Sequence, residues 1–360
     1  MVNFNNFAAI PCIKTMLIQK NWPLIECNTF GFNVTASEFI SIAHIDQLTE
    51  LFQSQQLKRN DIGILGGGSN ITFTTNFVGL LLKNEIFGKT ILDENSESAI
   101  IEFGGGEPWH GAVLHALSLN LGGIENLSLI PGTVGASPIQ NIGAYGVELK
   151  DVFHSLSAFH LPTGEIHHFD AKACEFGYRD SIFKREKRGQ YFIVSVQLKL
   201  SKNAEIKTQY GDIQATLDGW GIEQPTIHDI SKAVIFIRES KLPNPAEIGN
   251  CGSFFKNPVV SSDIIPALQS EYPDIKTFPA GEGLTKVPAG WLIEKAGWKG
   301  FRRGDVGVHA KQALVLVNYG NGTGQEIIDL AHEIQADVLS KFGIALEMEV
   351  NAWNWESQKY

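Results

Sequence analysis

Residues 120–146 read NLGGIENLSLIPGTVGASPIQNIGAYG, a glycine-rich stretch with one charged residue, Glu125. A connection this long and apolar is either functional or buried against a ligand. The text around it is patterned. Asp61–Leu65 (DIGIL) reads as a short buried strand entering GGGSN, and Ala99–Phe103 as another entering GGGEPWH. Helical spacing runs over Gln47–Gln56 and over Trp109–Leu119, the latter with Val113, Leu114 and Leu117 on one side. Strand-like text returns over 150–200 and ends in YFIVSVQLKL, so the pattern is that of an α+β protein.

Further out, helical text runs from Thr226 to about Glu239, and LPNP at 242–245 marks a domain junction. A helix over Ala289–Ala296 stops at Gly297, a common C-terminal cap. Thr323-x-x-Glu326 is a capping box opening a helix with Ile327, Leu330, Ile334 and Val338 on one face, which ends at Gly343. Between these helices, 313–318 (ALVLVN) reads as a buried strand. The closing IALEMEV, 344–350, alternates and places Glu347 and Glu349 on one strand face. Residues 1–24 show no period and read as an extension.

The chain has 360 residues, long for one core and suited to two or three lobes. Glycine is one residue in ten, 36 of 360, against an average near ~7%, which points to tight turns or backbone-lined sites. The net charge is −10, with no basic stripe, so nucleic acid is not an expected partner. No run of ~18 apolar residues and no leader-like N-terminus is present, which makes the cytoplasm the expected compartment. Cys12, Cys27, Cys174 and Cys251 have no paired or metal-ligand spacing and read as free thiols. Neither His110 and His115 nor His167 and His168 share a face with a supporting carboxylate, so no metal is expected.

The glycine runs follow strands, where exposed N–H groups form anion-binding nests. Neither is a dinucleotide fingerprint, because Ile71 and Trp109 stand where the third glycine belongs. GKT at 88–90 is no P-loop, since Lys83 holds the earlier glycine position. Two runs with the 120–146 loop behind them favour a large phosphate-bearing ligand. In GNCGSFFKNP, 249–258, Ser253 sits among glycines, as a turn residue or as a group approached closely by a ligand. Arg179 and Lys241 are cations set in apolar text, suited to holding carboxylate or phosphate. Taken singly, Ser253 reads as an ordinary turn residue and Arg179, Lys241 and Glu349 as ordinary surface groups.

Together these segments resemble the flavin-dependent UDP-N-acetylenolpyruvoylglucosamine reductases of bacterial cell-wall synthesis. The matching stretches include ILGGGSN (64–70), ENLSLIPGTVGASPIQNIGAYGVEL (125–149), CEFGYRDSIFK (174–184), YGD (210–212), KLPNP (241–245), GSFFKNP (252–258), AGWLIEKAG (289–297), HAKQALVLVN (309–318) and LEMEV (346–350). They keep the family's order from about residue 24 to 350, and YGD resembles the longer of its two subtypes. The resemblance implies a two-lobed FAD-binding fold of the vanillyl-alcohol-oxidase/PCMH type plus a C-terminal α+β substrate-binding domain. Expected boundaries are 1–24 for the extension, 25–90 and 91–240 for the flavin lobes, 241–345 for the UDP-sugar domain and 346–360 for the tail.

The implied cofactor is FAD, with NADPH as hydride donor and UDP-N-acetylglucosamine enolpyruvate as substrate, in a monomer. By the same resemblance Ser253 is the proton donor, with Arg179 and Glu349 beside it. Flavin contacts fall on Gly66, Gly67, Gly68, Ser69, Asn70, Pro131, Gly132, Thr133, Gly135, Ala136, Ser137, Ile139, Asn141, Gly143, Ala144 and Tyr145. Contacts to the nucleotide diphosphate or its sugars fall on Tyr210, Lys241, Asn257 and Gln312. Cys251 and Asn351 depart from the alanine and arginine common in relatives. Two other readings are an FAD-linked oxidase of the same superfamily, which needs no arginine–serine–glutamate set, and a non-catalytic nucleotide-binding protein.

Overall fold

The computed structural model describes residues 17–353; Cys12, the first sixteen residues and residues 354–360 lie outside that range. The first lobe is built on a four-stranded sheet ordered Gln19–Pro23, Thr35–Ile42, Phe77–Asn84, Ile62–Leu65. The last three run parallel, and the helix Ile45–Gln53 returns the chain between two of them. Being covered on both faces, Phe77–Asn84 is a near-continuous apolar run, with Leu80, Leu81 and Leu82 fully buried. Gln19–Pro23 is an antiparallel edge strand rather than part of an extension. Its one large apolar residue, Trp22, stacks on Phe39, too little to show a period in the sequence.

The second lobe carries a five-stranded antiparallel sheet ordered Glu165–Asp170, Phe153–His160, Tyr191–Ser201, Ser98–Gly104, Lys89–Glu94. The helix Trp109–Ser118 packs on it through Trp109, Ala112, Val113, Ala116 and Leu117. Leu114, expected inside, is 49% exposed, because the small residues Ala112 and Ala116 complete the stripe instead. Residues 120–146 form a ledge of tight turns whose backbone bonds to the second glycine run: Val134 N–H to Glu107 O and Gly135 N–H to Gly105 O, each 2.8 Å. The helices Ile213–Gly219 and Ile227–Lys241 pack on each other and reach the ledge through Ser231 and Ser128, whose hydroxyls are 2.8 Å apart.

In the third lobe an antiparallel sheet, ordered Gly249–Ser253, Val315–Asn318, Val306–Val308, Arg302–Arg303, is covered by Ala289–Lys295 and Gly324–Phe342. The capping box forms: Glu326 N–H donates to Thr323 Oγ1 and Thr323 N–H to Glu326 Oε2. Ile327, Leu330, Ile334 and Val338 are fully buried, and Gly343 ends the helix at φ +65°. Phe30 and Phe32 of the first lobe insert into this core.

IALEMEV differs from expectation. Residues 344–350 form no strand, only one bridge, Met348 to Phe255, and the paired strand is Asn351–Trp353, parallel to Ile71–Phe73. The two carboxylates therefore do not share an environment: the Glu347 side chain is 71% exposed and that of Glu349 only 12%. Backbone bonds from Lys256 N–H to Glu347 O and from Glu349 N–H to Phe254 O hold the segment against the Ser253 loop instead.

Candidate active site

All three lobes line one cleft. The strand Ile62–Leu65 delivers the loop 66–70 to its floor. A Cβ on Gly67 would lie 2.8 Å from Gly132 Cα, and one on Gly68, at φ +64°, would lie 1.9 Å from Cys27 O. The loop is thus threaded between the ledge and the 27–28 turn, where only glycine fits. The second run, 104–106, does not line the cleft; it packs under residues 85–86 and supports the ledge from behind. Of the two runs read as phosphate nests, only the first faces the ligand space.

Ser253 owes its aim to a β-bulge. Gly249 and Asn250 pair with Asn318 and Val317, but the next partner of Val315 is Ser253, so the strand carries one extra residue. Gly252, at φ +75° with nothing within 4 Å of its absent Cβ, makes the turn, and its N–H is fixed by Asn250 Oδ1 at 3.0 Å. Such a bulge re-aims the following side chain, here into the cleft.

Arg179 also has left-handed backbone, φ +54°, in the tight turn 177–180. One terminal nitrogen donates to Gly143 O at 2.6 Å. Its Nε lies 3.0 Å from Glu349 Oε1 but is angled off the hydrogen-bond line, which leaves a buried N–H without a partner. Burial raises the pKa of Glu349, and Arg179, Lys184 and Lys256 oppose the rise without cancelling it. Desolvation of the carboxylate therefore outweighs the ion pair. Gln140 Nε2 donates to Glu349 Oε1 at 3.3 Å, and Asn70 Nδ2 donates to Gln140 Oε1 at 2.9 Å.

The cleft brings together Ser253, Arg179 and Glu349, and with them Gly66, Gly67, Gly68, Ser69, Asn70, Pro131, Gly132, Thr133, Gly135, Ala136, Ser137, Ile139, Gly143 and Ala144. Asn141 is fully buried behind it, spent on Glu148, Gly177 O and Lys150 N–H. Tyr145 lies against the helical pair, and Tyr210 covers Gly146, where a Cβ would meet its ring at 2.2 Å. Lys241 is ion-paired with Asp212, Asn257 Oδ1 accepts from Ala289 N–H, and Gln312 approaches Leu314 N–H. These last residues lie outside the cleft wall.

Sequence reasoning missed Gln140, Lys184 and Arg238. Arg238, in the helix Ile227–Lys241, lines the cleft with its Nε buried and unpartnered, and no carboxylate pairs with it among the described residues. A lone arginine in an amphipathic helix gives no signal until the helix is docked. Four cations, Arg179, Lys184, Arg188 and Arg238, line the cleft against one acid, Glu349, in a chain of net charge −10. An unpaired buried guanidinium, the orphaned Thr133 hydroxyl and the glycine floor fit a polyanionic ligand, and Ile64, Ile130, Ile139, Ile142 and Trp353 fit its apolar ring. No group of three or more candidate metal ligands exists among the described residues. Cys27, Cys174 and Cys251 are free thiols, and burial pushes Cys174 up to about 12.

Two lobes and a C-terminal α+β domain around one cation-rich cleft define a protein built for a large anionic ligand, and the comparisons make it an FAD-binding oxidoreductase. Residues 37–170 match the model of an FAD binding domain, and residues 244–353 that of the UDP-N-acetylenolpyruvoylglucosamine reductase C-terminal domain. Proteins of that name from Pseudomonas syringae pv. tomato and Flavobacterium johnsoniae are 46% and 48% identical, over 94% and 93% of this chain and 100% and 99% of theirs. The crystal structure of the Thermus caldophilus UDP-N-acetylenolpyruvylglucosamine reductase superposes with a TM-score of 0.65 at 21% identity, covering 94% of this chain and all of that one. The chain belongs to the UDP-N-acetylenolpyruvoylglucosamine reductase family and is an FAD-dependent oxidoreductase.

Proposed function

We propose that the protein uses NADPH to reduce the enolpyruvyl group of UDP-N-acetylglucosamine enolpyruvate, giving UDP-N-acetylmuramate for peptidoglycan precursors, as a cytoplasmic monomer. No helix among the described residues is long and apolar enough to cross a membrane. The observation that carries the reading is the convergence of Ser253, Arg179 and Glu349, from three distant parts of the chain, on one cation-rich cleft floored by the 66–70 loop. FAD, when bound there, supplies hydride transfer from NADPH to the alkene carbon remote from the carboxylate.

The chain's own residues handle the charge and the proton. Negative charge develops on the carbon next to the carboxylate and spreads into that group. Arg179, which lines the cleft with its guanidinium fixed by Gly143 O, is placed to meet that charge as it appears, which stabilises the transition state more than the ground state. Ser253 gives its proton to the same carbon; a hydroxyl is a weak acid in water but adequate when held beside so basic a carbon. Burial raises the Glu349 carboxyl above its ordinary value, and in its protonated form it can return a proton to the alkoxide Ser253 leaves behind. Arg238 and the 66–70 backbone would hold the cofactor's anionic part. Tyr210, Lys241, Asn257 and Gln312 are assigned to the nucleotide diphosphate and its sugars.

The test is spectroscopic. Purified protein should be yellow, bleach with NADPH under anaerobic conditions, and recover colour on addition of the enolpyruvyl sugar. Rapid reoxidation by oxygen with no response to that sugar would mark an oxidase instead.

A further inference from the structure

Glu349 is held asymmetrically. Its Oε1 faces both Gln140 Nε2, at 3.3 Å, and Arg179 Nε, at 3.0 Å, whereas Oε2 has no hydrogen-bond partner among the described residues. Gln140 is itself held: its Oε1 accepts from Asn70 Nδ2, which also lies 3.4 Å from Glu349 O. Asn70 O in turn accepts from Asn351 N–H at 3.1 Å and from Asn351 Nδ2 at 3.2 Å. An amide with its oxygen occupied by a donor must present its NH₂ to the other side, so Asn70 fixes which end of Gln140 meets Glu349.

We propose that Gln140 is a positioning residue for Glu349: it directs the carboxyl so that Oε1 stays the acceptor and Oε2 is the oxygen that carries the proton. This rests on the role given to Glu349 above. The groups facing that carboxyl are Arg179 and Tyr178 on the 177–180 turn, Lys184 on the following turn, and Lys256 and Cys251 on the Ser253 segment. Arg179, Lys184 and Lys256 pull toward the ionised form, as the Gln140 N–H does, and loss of that N–H therefore raises the carboxyl pKa.

The experiment uses FAD-loaded enzyme carrying Gln140→Met, which keeps the length and removes the N–H. The carboxyl band of Glu349, identified by subtraction of Glu349→Gln, is titrated by infrared spectroscopy, and the two half-reactions are followed by stopped flow. We expect the Glu349 midpoint to rise by roughly one pH unit and reoxidation by the enolpyruvyl sugar to slow about tenfold, as for one lost hydrogen bond to a charged group. Reduction by NADPH should change less than about twofold, and Gln140→Met should cost nothing further once Glu349 is glutamine. An unmoved midpoint, or losses that multiply in the double variant, would overturn the assignment. A shifted midpoint in enzyme that never responds to the enolpyruvyl sugar would overturn the proposed reaction and leave the role of Gln140 intact. If the methionine variant does not hold flavin, Gln140→Asn, which withdraws the amide by one methylene, is read by the same criteria.

Discussion

Two glycines in one strand, Gly249 and Gly252, carry different constraints, and substitution by alanine separates them. At Gly252 an added Cβ meets nothing within 4 Å, so Gly252→Ala costs only the left-handed backbone at φ +75°, about 1–2 kcal/mol. At Gly249 the added Cβ would lie 2.2 Å from Phe30 O. That carbonyl cannot retreat, because Asn318 Nδ2 donates to it at 2.9 Å and Asn250 N–H bonds to the adjacent Thr29 O at 3.0 Å. Gly249→Ala should therefore cost on the order of 3 kcal/mol or more, as for a core forced apart. At roughly 2 °C per kcal/mol for a chain of this size, the expected losses in Tm are about 2–4 °C and at least about 6 °C. The functional order is the reverse of mild. Gly252 makes the bulge that aims Ser253, and a displacement near 1 Å costs up to about a hundredfold, so Gly252→Ala should slow enolpyruvyl reoxidation between roughly tenfold and a hundredfold while NADPH reduction stays within about twofold. Thermal melts of flavin-loaded protein and stopped-flow absorbance read both effects. Equal Tm losses would show that protein atoms hem in Gly252, and an unchanged reoxidation rate would show that the bulge does not set the serine.

Ser253→Ala should leave flavin binding and NADPH oxidation near normal and slow the second half-reaction by at least ~100-fold, the lower end for a lost general acid; equal slowing of both halves would contradict its role. Arg238→Met should raise the Tm of flavin-free protein by removing an unpaired buried charge, yet weaken FAD binding at least about tenfold in a titration; a lower Tm with unchanged affinity would refute the reading of Arg238 as an anion holder. Lys241→Ala should raise the substrate KM more than it lowers kcat in steady-state assays, and a pure kcat loss would count against its assignment to ground-state binding. Because burial raises Glu349 in the folded state, its protonation favours folding at low pH, and that contribution is lost as pH climbs from the ordinary carboxylate range through the raised value. The Tm of Glu349→Gln minus that of wild type should accordingly grow with pH; a flat difference would mean Glu349 titrates as it does in water, and a falling one that the neighbouring cations lower it instead.

What the sequence shows follows the range of its signals. Periods of 2 and 3.6 residues and cap residues are local, so the helix opened by Thr323 and closed by Gly343 is legible to the residue, and the strand that enters GGGSN is read one residue too long, from Asp61 instead of Ile62. Leu114 and Glu347 were misplaced because a short stripe can be completed by alanines and an alternating segment can meet its neighbour at a single bridge instead of along a strand. Phe30 and Phe32 carry no period at all, yet they belong to the core of a lobe that begins more than two hundred residues later. The site lies beyond local periods altogether: Gln140 meets Glu349 across 209 residues and Asn70 meets it across 279. Only the order of many separate motifs, as a family resemblance, pointed to that convergence, and it did not reach Arg238 or Gln140.

The convergence has a topological cause. Asn351–Trp353 lies parallel to Ile71–Phe73, with Asn351 opposite Ile71, so the chain enters both strands from the same end. Asn70, just before the first strand at the close of the glycine loop, and Glu349, two residues before the second, are neighbours at that end, and both line the cleft. Had the last strand run antiparallel, its entry would lie at the far end of a three-residue pair, roughly 7–10 Å away at ~3.3 Å per residue, beyond the reach of the Asn70–Gln140 bonds. The same strand brings Trp353 onto Phe73 and Phe77, so burial of an apolar ring fixes a polar register. A one-residue deletion between Glu349 and Trp353 would shift Glu349 out of the cleft or pull Trp353 off its aromatic partners, since a period of two allows no slip that keeps both.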